Sequence, residues 1–323
     1  MKKNTLPFPY LSIIVPLYNE EESVEKLLLK ILKSSEQFSF DYEIIFIDDG
    51  SSDNTWGLIE DLKKDTPQLV GIKFRRNYGQ TSAMVAGFNH AKGIFIATLD
   101  GDLQNDPADI PLLLSKVEEG YDIVSGWRKY RKDHFSRVLP SKIANAIISW
   151  TTGVKLHDYG CSLKVYRADC VKALKAYGEM HRFLPALAKM TGARTAELPV
   201  SHYPRQHGIS KYGFDRIFKV FSDIFAMNLI IKFSSMPLKG FAFCALPFFL
   251  LSSFFGVLAI LSFVYHWTSG KALFFSIATA FSAMPVLHLL ALGVLGELVV
   301  STSDLSHSRL PEITRKPLAP GNH

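Results

Sequence analysis

The chain has 323 residues, enough for one large domain or two, and 48% of them are hydrophobic. Its formal charge of +6 is modest and lies largely beside apolar runs, which favours anionic lipid over nucleic acid as a partner. Cys161, Cys170 and Cys244 are far apart and read as reduced thiols, and ten histidines without HxxxH or HExxH spacing argue against zinc. After Met1-Lys2-Lys3, the residues Pro7, Pro9 and Pro16 interrupt any signal-peptide core, so a first strand is expected there instead. From residue 10 to 125 short apolar runs alternate with helical patterns: Leu11–Val15 then Glu21–Leu32, Glu43–Ile47 then Asp53–Lys64, Val70–Phe74 then Thr81–His90. Ile94–Leu99 then Asp109–Glu118 continue the series, with Ile123–Val124 as a further edge. This alternation predicts an α/β fold with a mostly parallel sheet and helices on both faces.

Ligands of such sheets bind at the C-terminal ends of the strands. Tyr18–Glu20, Asp48–Asp49 and Asp100–Asp102 all fall there, so three polar clusters point to one site. In an extended segment residues two apart point to the same side, so Asp100 and Asp102 aim both carboxylates at one point. Carboxylates that close repel unless a cation sits between them, and a hard ion such as Mg²⁺ or Mn²⁺, with phosphate as its other ligand, fits. Asp48-Asp49-Gly50-Ser51 also reads as a strand-to-helix turn capped by Asp53. No Gly-x-Gly-x-x-Gly and no Gly-Lys-Ser/Thr loop occurs, which argues against a dinucleotide dehydrogenase or a P-loop nucleotidase.

The second half of the chain changes character. Ser136–Trp150 carries basic residues early and Ile143, Ile147, Ile148 and Trp150 later, a pattern suited to lipid contact. Between Phe214 and Phe233, Asp215, Lys219 and Asp223 share one helical face opposite Ile217, Phe221, Ile224 and Phe225, which predicts an interfacial amphipathic helix. Gly240–Tyr265 and Ala272–Gly296 contain no charged residue, and each is roughly 37 Å long as a helix, enough to cross a bilayer. The link His266–Lys271 is too short for a domain, so a two-span hairpin is expected. Lys219, Lys232 and Lys239 precede it and Arg309, Arg315 and Lys316 follow it, against Lys271 alone in the link. That bias puts both termini and the N-terminal domain in the cytoplasm. His288 and Pro285, inside the second span, read as packing or subunit contacts. The expected domains are residues 1–213, a juxtamembrane helix at 214–236, the hairpin at 237–300 and a tail at 301–323.

Ile13-Ile14-Val15-Pro16-Leu17-Tyr18-Asn19-Glu20, Ile47-Asp48-Asp49-Gly50-Ser51-Ser52-Asp53 and Leu99-Asp100-Gly101-Asp102-Leu103-Gln104 together resemble the inverting GT-A glycosyltransferases of family 2. With Arg76-Asn77-Tyr78-Gly79-Gln80, Gly126-Trp127-Arg128 and Asp158-Tyr159-Gly160-Cys161-Ser162, they resemble more narrowly the dolichol- and polyprenyl-phosphate sugar synthase branch. With two C-terminal spans the chain is most similar to the bacterial undecaprenyl-phosphate (bactoprenol) glucosyltransferases. The resemblance implies a Rossmann-like GT-A domain in which Pro16, Tyr18, Glu20, Asp48, Asp49 and Asp100 surround a nucleotide sugar. It implies Mg²⁺ or Mn²⁺ held by Asp100, Asp102 and Gln104 on the diphosphate. Arg128, Arg137 and Ser141 match the acceptor-phosphate residues, and Asp158 matches the position called the catalytic base. Arg205, in Tyr203-Pro204-Arg205, and Lys211 are further expected phosphate contacts, Arg205 close to the chemistry.

A polyprenyl phosphate has a second pKa of about 6 and is largely dianionic in the cytoplasm. Its oxygen is already a nucleophile, so cationic positioning matters more than a strong base, and Asp158 can serve orientation. The expected reaction moves one sugar, glucose from UDP-glucose, onto undecaprenyl phosphate with inversion. Alternatives within the branch are mannose from GDP-mannose or an aminosugar. A processive synthase would carry Gln-x-x-Arg-Trp, and none of Trp56, Trp127, Trp150 and Trp267 follows an arginine. An inactive membrane scaffold has no reason to keep Asp100, Asp102, Gln104 and Arg128 together. A homotetramer and a separate flippase are the expected partners besides the bilayer.

Overall fold

The computed structural model describes residues 9–129, 145, 146, 148, 149, 152–174, 176, 178, 180–204 and 236–302. Arg137, Ser141, Arg205 and Lys211, most of Ser136–Trp150, and the expected amphipathic helix up to residue 235 lie outside the described residues. Two compact units divide the chain, residues 1–224 and 225–323.

In the first unit, β1 (Leu11–Leu17), β2 (Tyr42–Asp48), β3 (Leu69–Lys73), β4 (Phe95–Thr98), β5 (Ile123–Trp127), β6 (Lys164–Arg167) and β7 (Thr195–Pro199) form one sheet. Its order is β3-β2-β1-β4-β6-β5-β7. The first four strands in the chain run parallel where they pair, as do β5 and β7, while β6 is antiparallel to both β4 and β5. The helices are α1 (Val24–Ser35), α2 (Thr55–Asp65), α3 (Gln80–His90), α4 (Ile110–Glu118), α5 (Ala168–Lys172) and α6 (Leu184–Met190). This is the expected Rossmann-like, mostly parallel α/β architecture.

The pleat explains why β1 is apolar at every position but Ser12, whose buried hydroxyl donates to Glu43 Oε1 at 2.6 Å. Leu11, Ile13, Val15 and Leu17 pack with Leu27, Leu28 and Ile31 of α1 and Leu113 and Leu114 of α4. Ile14 points the other way, into a second cluster with Ile45, Ile47, Ile96 and Ala83, Met84 and Phe88 of α3. Burial on both faces removes the polar alternation of a half-exposed strand. Each fully buried Leu or Ile contributes about 1.5–3 kcal/mol over its exposed state.

Element bounds shift modestly from the sequence expectation. Helix α1 begins at Val24 rather than Glu21, because residues 18–23 form the loop that reaches the site. Strands β6 and β7 fall where no strand was expected. Lys164 interrupts the apolar signal of β6, and β7 is half-buried over most of its length.

The second unit holds α7 (Pro237–Val264) and α8 (Ser269–Thr302), longer at both ends of the hairpin than the uncharged runs. At 28 and 34 residues they are roughly 42 and 51 Å long, enough to cross a membrane. Phe243, Phe263 and Phe281 are each more than three-quarters exposed on them, a surface suited to lipid rather than water. The helices pack antiparallel: Gly293 faces Leu238 and Phe241, and the Ser252 hydroxyl donates to the Thr279 carbonyl at 3.2 Å. Glu297 of α8 accepts the Leu238 amide at 3.3 Å, capping the start of α7. His288 Nδ1 lies 2.9 Å from the Met284 carbonyl one turn earlier. Both prolines, Pro247 and Pro285, sit inside helix.

Candidate active site

The ends of β1, β2 and β4 bring the three acidic segments side by side. Beyond β1, Asn19 takes φ of 54°, and its amide donates to Ser51 Oγ at 2.9 Å while its Oδ1 accepts the Ser52 amide at 2.8 Å. The Glu20 amide donates to Thr55 Oγ1 at 2.8 Å, and the Glu20 carboxylate accepts the Ser23 hydroxyl. Loop 18–20 is thus laced to the turn after β2. Tyr18 is exposed beside it and Pro16 is half-buried in β1. The N-cap of α2 is Asn54 rather than Asp53, and Asp53, one residue earlier, accepts the Thr55 amide at 3.0 Å and the Glu21 amide at 3.2 Å.

Asp48 and Asp49 are both buried and face different tasks. Asp48 Oδ1 accepts the Ser51 amide at 3.0 Å, while its buried Oδ2 has no hydrogen-bond partner among the described residues. An orphaned carboxylate oxygen is costly to bury, so it marks a place for a ligand donor. Both oxygens of Asp49 are taken by the segment before α3, from the Tyr78 amide at 2.8 Å and the Gly79 amide at 2.9 Å. Burial still holds the Asp49 carboxyl above its ordinary value. Gly50, between these acids and Ser51, has φ of 69°, and a Cβ there would lie 2.3 Å from the Arg76 carbonyl carbon.

Asp100, Gly101 and Asp102 follow β4. A Cβ on Gly101 would lie 2.6 Å from Leu17 Cδ2, so this turn packs closely against the Leu17 side chain at the end of β1. Leu103 is buried with φ of 61°, a strained conformation for a branched side chain, and it turns the chain sharply after Asp102. Gln80 at the start of α3 donates to Asp100 Oδ1 at 2.7 Å. Burial, then the neighbouring Asp102, raise the Asp100 carboxyl, while Ser162, Arg128 and Lys164 favour its charged form. Asp102 Oδ1 accepts the Gln104 amide at 3.2 Å. Gln104 itself pairs with Tyr203, accepting its amide at 2.9 Å and donating Nε2 to its carbonyl at 3.5 Å.

Opposite these acids lies a cationic wall. Arg128, just after β5, clamps Asp158 with two bonds, Nε to Oδ2 at 2.7 Å and Nη2 to Oδ1 at 2.9 Å. Burial works against the Arg128 charge, and the Asp158 carboxylate outweighs it, raising the guanidinium above its ordinary value. Lys164 of β6 is buried and gathers the carbonyls of Tyr159 and Cys161, with burial lowering its ammonium below the usual range. Asn105 ties the two walls together, accepting the Ser162 hydroxyl at 2.7 Å.

The structure therefore brings Glu20, Asp48, Asp100, Asp102 and Gln104 to neighbouring strand ends, and pairs the expected acceptor cation Arg128 with the expected base Asp158. Gln80 stood in a quoted motif without an assigned task, and Asn105, Lys164 and Glu197 carried none. A lysine inside the apolar run Leu163–Tyr166 was the one available signal. Among the described residues no three His, Cys, Asp or Glu side chains form a ready metal cage. Paired Asp100 and Asp102 with the Gln104 amide nonetheless form a hard-oxygen set of the kind that holds Mg²⁺ or Mn²⁺ together with substrate phosphates. The observation that fits such a cation is the donor set itself, two carboxylates two residues apart after β4 with the Gln104 side chain two residues further on.

A model described as glycosyl transferase family 2 matches residues 12–174. The dodecaprenyl-phosphate galacturonate synthase of Rhizobium johnstonii is 45% identical over 234 residues, covering 70% of this chain and 69% of that protein. The undecaprenyl-phosphate 4-deoxy-4-formamido-L-arabinose transferase of Shewanella sediminis is 38% identical over 299 residues, covering 92% and 89%. Among solved structures, glucosyl-3-phosphoglycerate synthase from Mycobacterium tuberculosis, in complex with Mn²⁺, UDP and phosphoglyceric acid, is similar in fold, with a TM-score of 0.53. It is 16% identical and covers 69% of this chain and 78% of its own.

Proposed function

The chain belongs to glycosyl transferase family 2, and on that premise we propose that it moves one sugar from a nucleoside diphosphate onto a polyprenyl phosphate. The observation that carries this reading is the pair Asp100 and Asp102, held by Gln80 and Gln104 at the strand ends, with the Arg128 guanidinium, paired to Asp158, near enough to act on the Asp100 charge. The relatives' names add the acceptor class, a polyprenyl phosphate.

In the proposed reaction a phosphate oxygen of the lipid bonds to the anomeric carbon while that carbon's bond to the nucleoside diphosphate breaks, inverting the configuration. No proton has to leave the dianionic acceptor. Asp48 Oδ2 meets a donor group of the nucleoside, with Pro16, Tyr18 and Glu20 around it. Arg128, with Arg137, Ser141, Arg205 and Lys211, holds the acceptor phosphate. Asp100, Asp102 and Gln104 would hold a divalent ion, which would supply charge neutralisation for the leaving diphosphate.

The relatives carry galacturonate and formamido-arabinose in their names, so glucose, the sugar expected from the sequence, enters as one donor among several. The catalytic domain of residues 1–213 lies on the cytoplasmic face, joined by 214–236 to the membrane hairpin of 237–300 and a cytoplasmic tail. A homotetramer and a separate flippase complete the proposal. The test is a panel of radiolabelled UDP- and GDP-sugars, including UDP-glucose and UDP-galacturonate, with undecaprenyl phosphate and Mn²⁺ or Mg²⁺. One donor is expected to put label into the organic phase. Chelator, or alanine at both Asp100 and Asp102, is expected to cut that rate at least about 100-fold. Label entering an insoluble polymer, or undiminished transfer under chelation, refutes the reading.

A further inference from the structure

We propose that Glu197 of β7 is a positioning residue for the transfer: it sets the turn that carries Asp158 and, through Asp158, the Arg128 guanidinium. The inference rests on the reading above, in which Arg128 faces the acceptor phosphate.

Glu197 is almost fully buried, with its side chain 8% exposed, yet it makes no pair with a lysine or arginine among the described residues. Its carboxylate instead collects the turn after residue 156. Oε1 accepts the Asp158 amide at 2.9 Å, and the His157 amide lies 3.0 and 2.9 Å from the two oxygens. His157 Nδ1 approaches Oε2 at 2.8 Å, which requires the proton to sit on that nitrogen. Amides bound to a charged acceptor make stronger bonds than neutral pairs, so the turn is held tightly.

The clamp sits on a rigid base. Strands β5 and β7 pair in register, Ser125 with Glu197 and Trp127 with Pro199. Trp127 stacks on the His157 ring with centroids 4.4 Å apart and planes 18° apart, closing the turn from the β5 side. The next residue is Arg128, whose own amide lies 3.4 Å from Asp158 Oδ2, and the Gly160 amide meets Oδ1 at 3.2 Å. Asp158 thus has its backbone fixed by Glu197 and its carboxylate aimed at Arg128. Two guanidinium N–H groups go to Asp158. The guanidinium has five in all, so others are left for an anionic ligand. A turn free to rotate would still leave Arg128 charged, but no longer aimed. Misplacement of about 1 Å is enough to cost two orders of magnitude in rate.

The test is a double-mutant cycle in the full-length protein in lipid nanodiscs. Glu197→Gln puts an amide NH₂ where one acceptor oxygen faces the two backbone N–H groups. It is expected to lower kcat at least tenfold with the donor KM within about twofold of wild type. Adding it to Asp158→Asn is expected to cost less than a further twofold, because both act on one group. Additive losses, or a Glu197→Gln kcat within twofold of wild type, overturn the proposal. If Glu197→Gln fails to fold, Glu197→Asp, which keeps the charge but is one methylene too short, enters the same cycle with the same criteria. A second readout needs no turnover: Glu197→Ala releases His157 from Trp127, so the emission component that Trp127→Phe removes is expected to change. An unchanged component overturns the clamp. Wild-type protein that moves no sugar to the lipid refutes the earlier functional reading instead, and the Trp127 signal still decides whether the clamp exists.

Discussion

Asp158 gives both carboxylate oxygens to one guanidinium, and that arrangement suits an orienting group better than a base. A phosphate acceptor with a second pKa of about 6 needs no proton removed at neutral pH. Asp158→Asn is therefore expected to lose about 10- to 1000-fold in kcat with no recovery from pH 7 to 9. A rate that climbs back towards wild type over that range assigns Asp158 the base role. His181 poses a different question of charge. It is buried, its Nδ1 lies 2.8 Å from Thr81 Oγ1, and burial, then Arg182 and Lys164, depress its pKa from 6.5 to about 3. The unfolded chain binds the proton that the folded chain refuses. The stability this group contributes is thus complete above about pH 6.5 and lost progressively as pH falls towards 3. Between pH 7 and 5 the loss from this group is about 2 kcal/mol. His181→Asn keeps a polar contact for Thr81 without the titration, so its thermal midpoint should fall less between those pH values than that of wild type. Equal falls would show that His181 is not the group responsible.

Helix α3 carries Gln80 at its first turn, so its seating on the sheet governs how Asp100 is held. A Cβ at Gly87 would lie 2.6 Å from Ile14 Cγ2 and 3.1 Å from Ile47 Cδ1, both packed in the core. Gly87→Val is expected to destabilise by about 1–3 kcal/mol through overpacking, against a helix-propensity gain of under 1 kcal/mol. A lower urea midpoint together with a reduced transfer rate supports this seating, and a raised midpoint refutes it. The same packing explains what the sequence disclosed. Strands β1, β2 and β4 are buried on both faces, so they appear as mostly apolar runs with polar clusters after them, and Asp100 and Asp102 were legible from their two-residue spacing taken together with the neighbouring strand ends and the family resemblance. Of the other wall, Arg128 and Asp158 were legible through the resemblance alone, and the long-range contacts that hold the site together were not legible at all. Gln80 finds Asp100 across 20 positions, Glu197 finds Asp158 across 39, and Asn105 finds Ser162 across 57. Such contacts leave no local periodicity. The antiparallel β6 was hidden for a related reason, since its four residues begin with a buried lysine whose partners are main-chain carbonyls.

At the scale of the whole molecule, a hairpin of two helices long enough to cross a membrane is expected to keep both of its flanks on one side. Helices α7 and α8 are antiparallel and joined by residues 265–268, so Met236 and Thr302 lie at one end of the pair and the link at the other. Lys219, Lys232 and Lys239 before the hairpin and Arg309, Arg315 and Lys316 after it outweigh Lys271 near the link. Positive charge stays on the cytoplasmic side, so the link is expected outside. Native thiols permit a clean labelling test. Cys161 and Cys170 are buried, and burial pushes their thiols up to about 11 and about 12, so neither offers thiolate at neutral pH. Cys244 is exposed on α7 and is removed first as Cys244→Ser. In that background an impermeant maleimide added to intact cells should label Thr268→Cys, whereas Thr302→Cys should react only after the membrane is opened. The reverse pattern would place the catalytic unit outside, away from cytoplasmic nucleotide sugars. Labelling of both from one side would mean that the two helices lie along the membrane rather than across it, and the acceptor would then have to reach Arg128 without a spanning anchor.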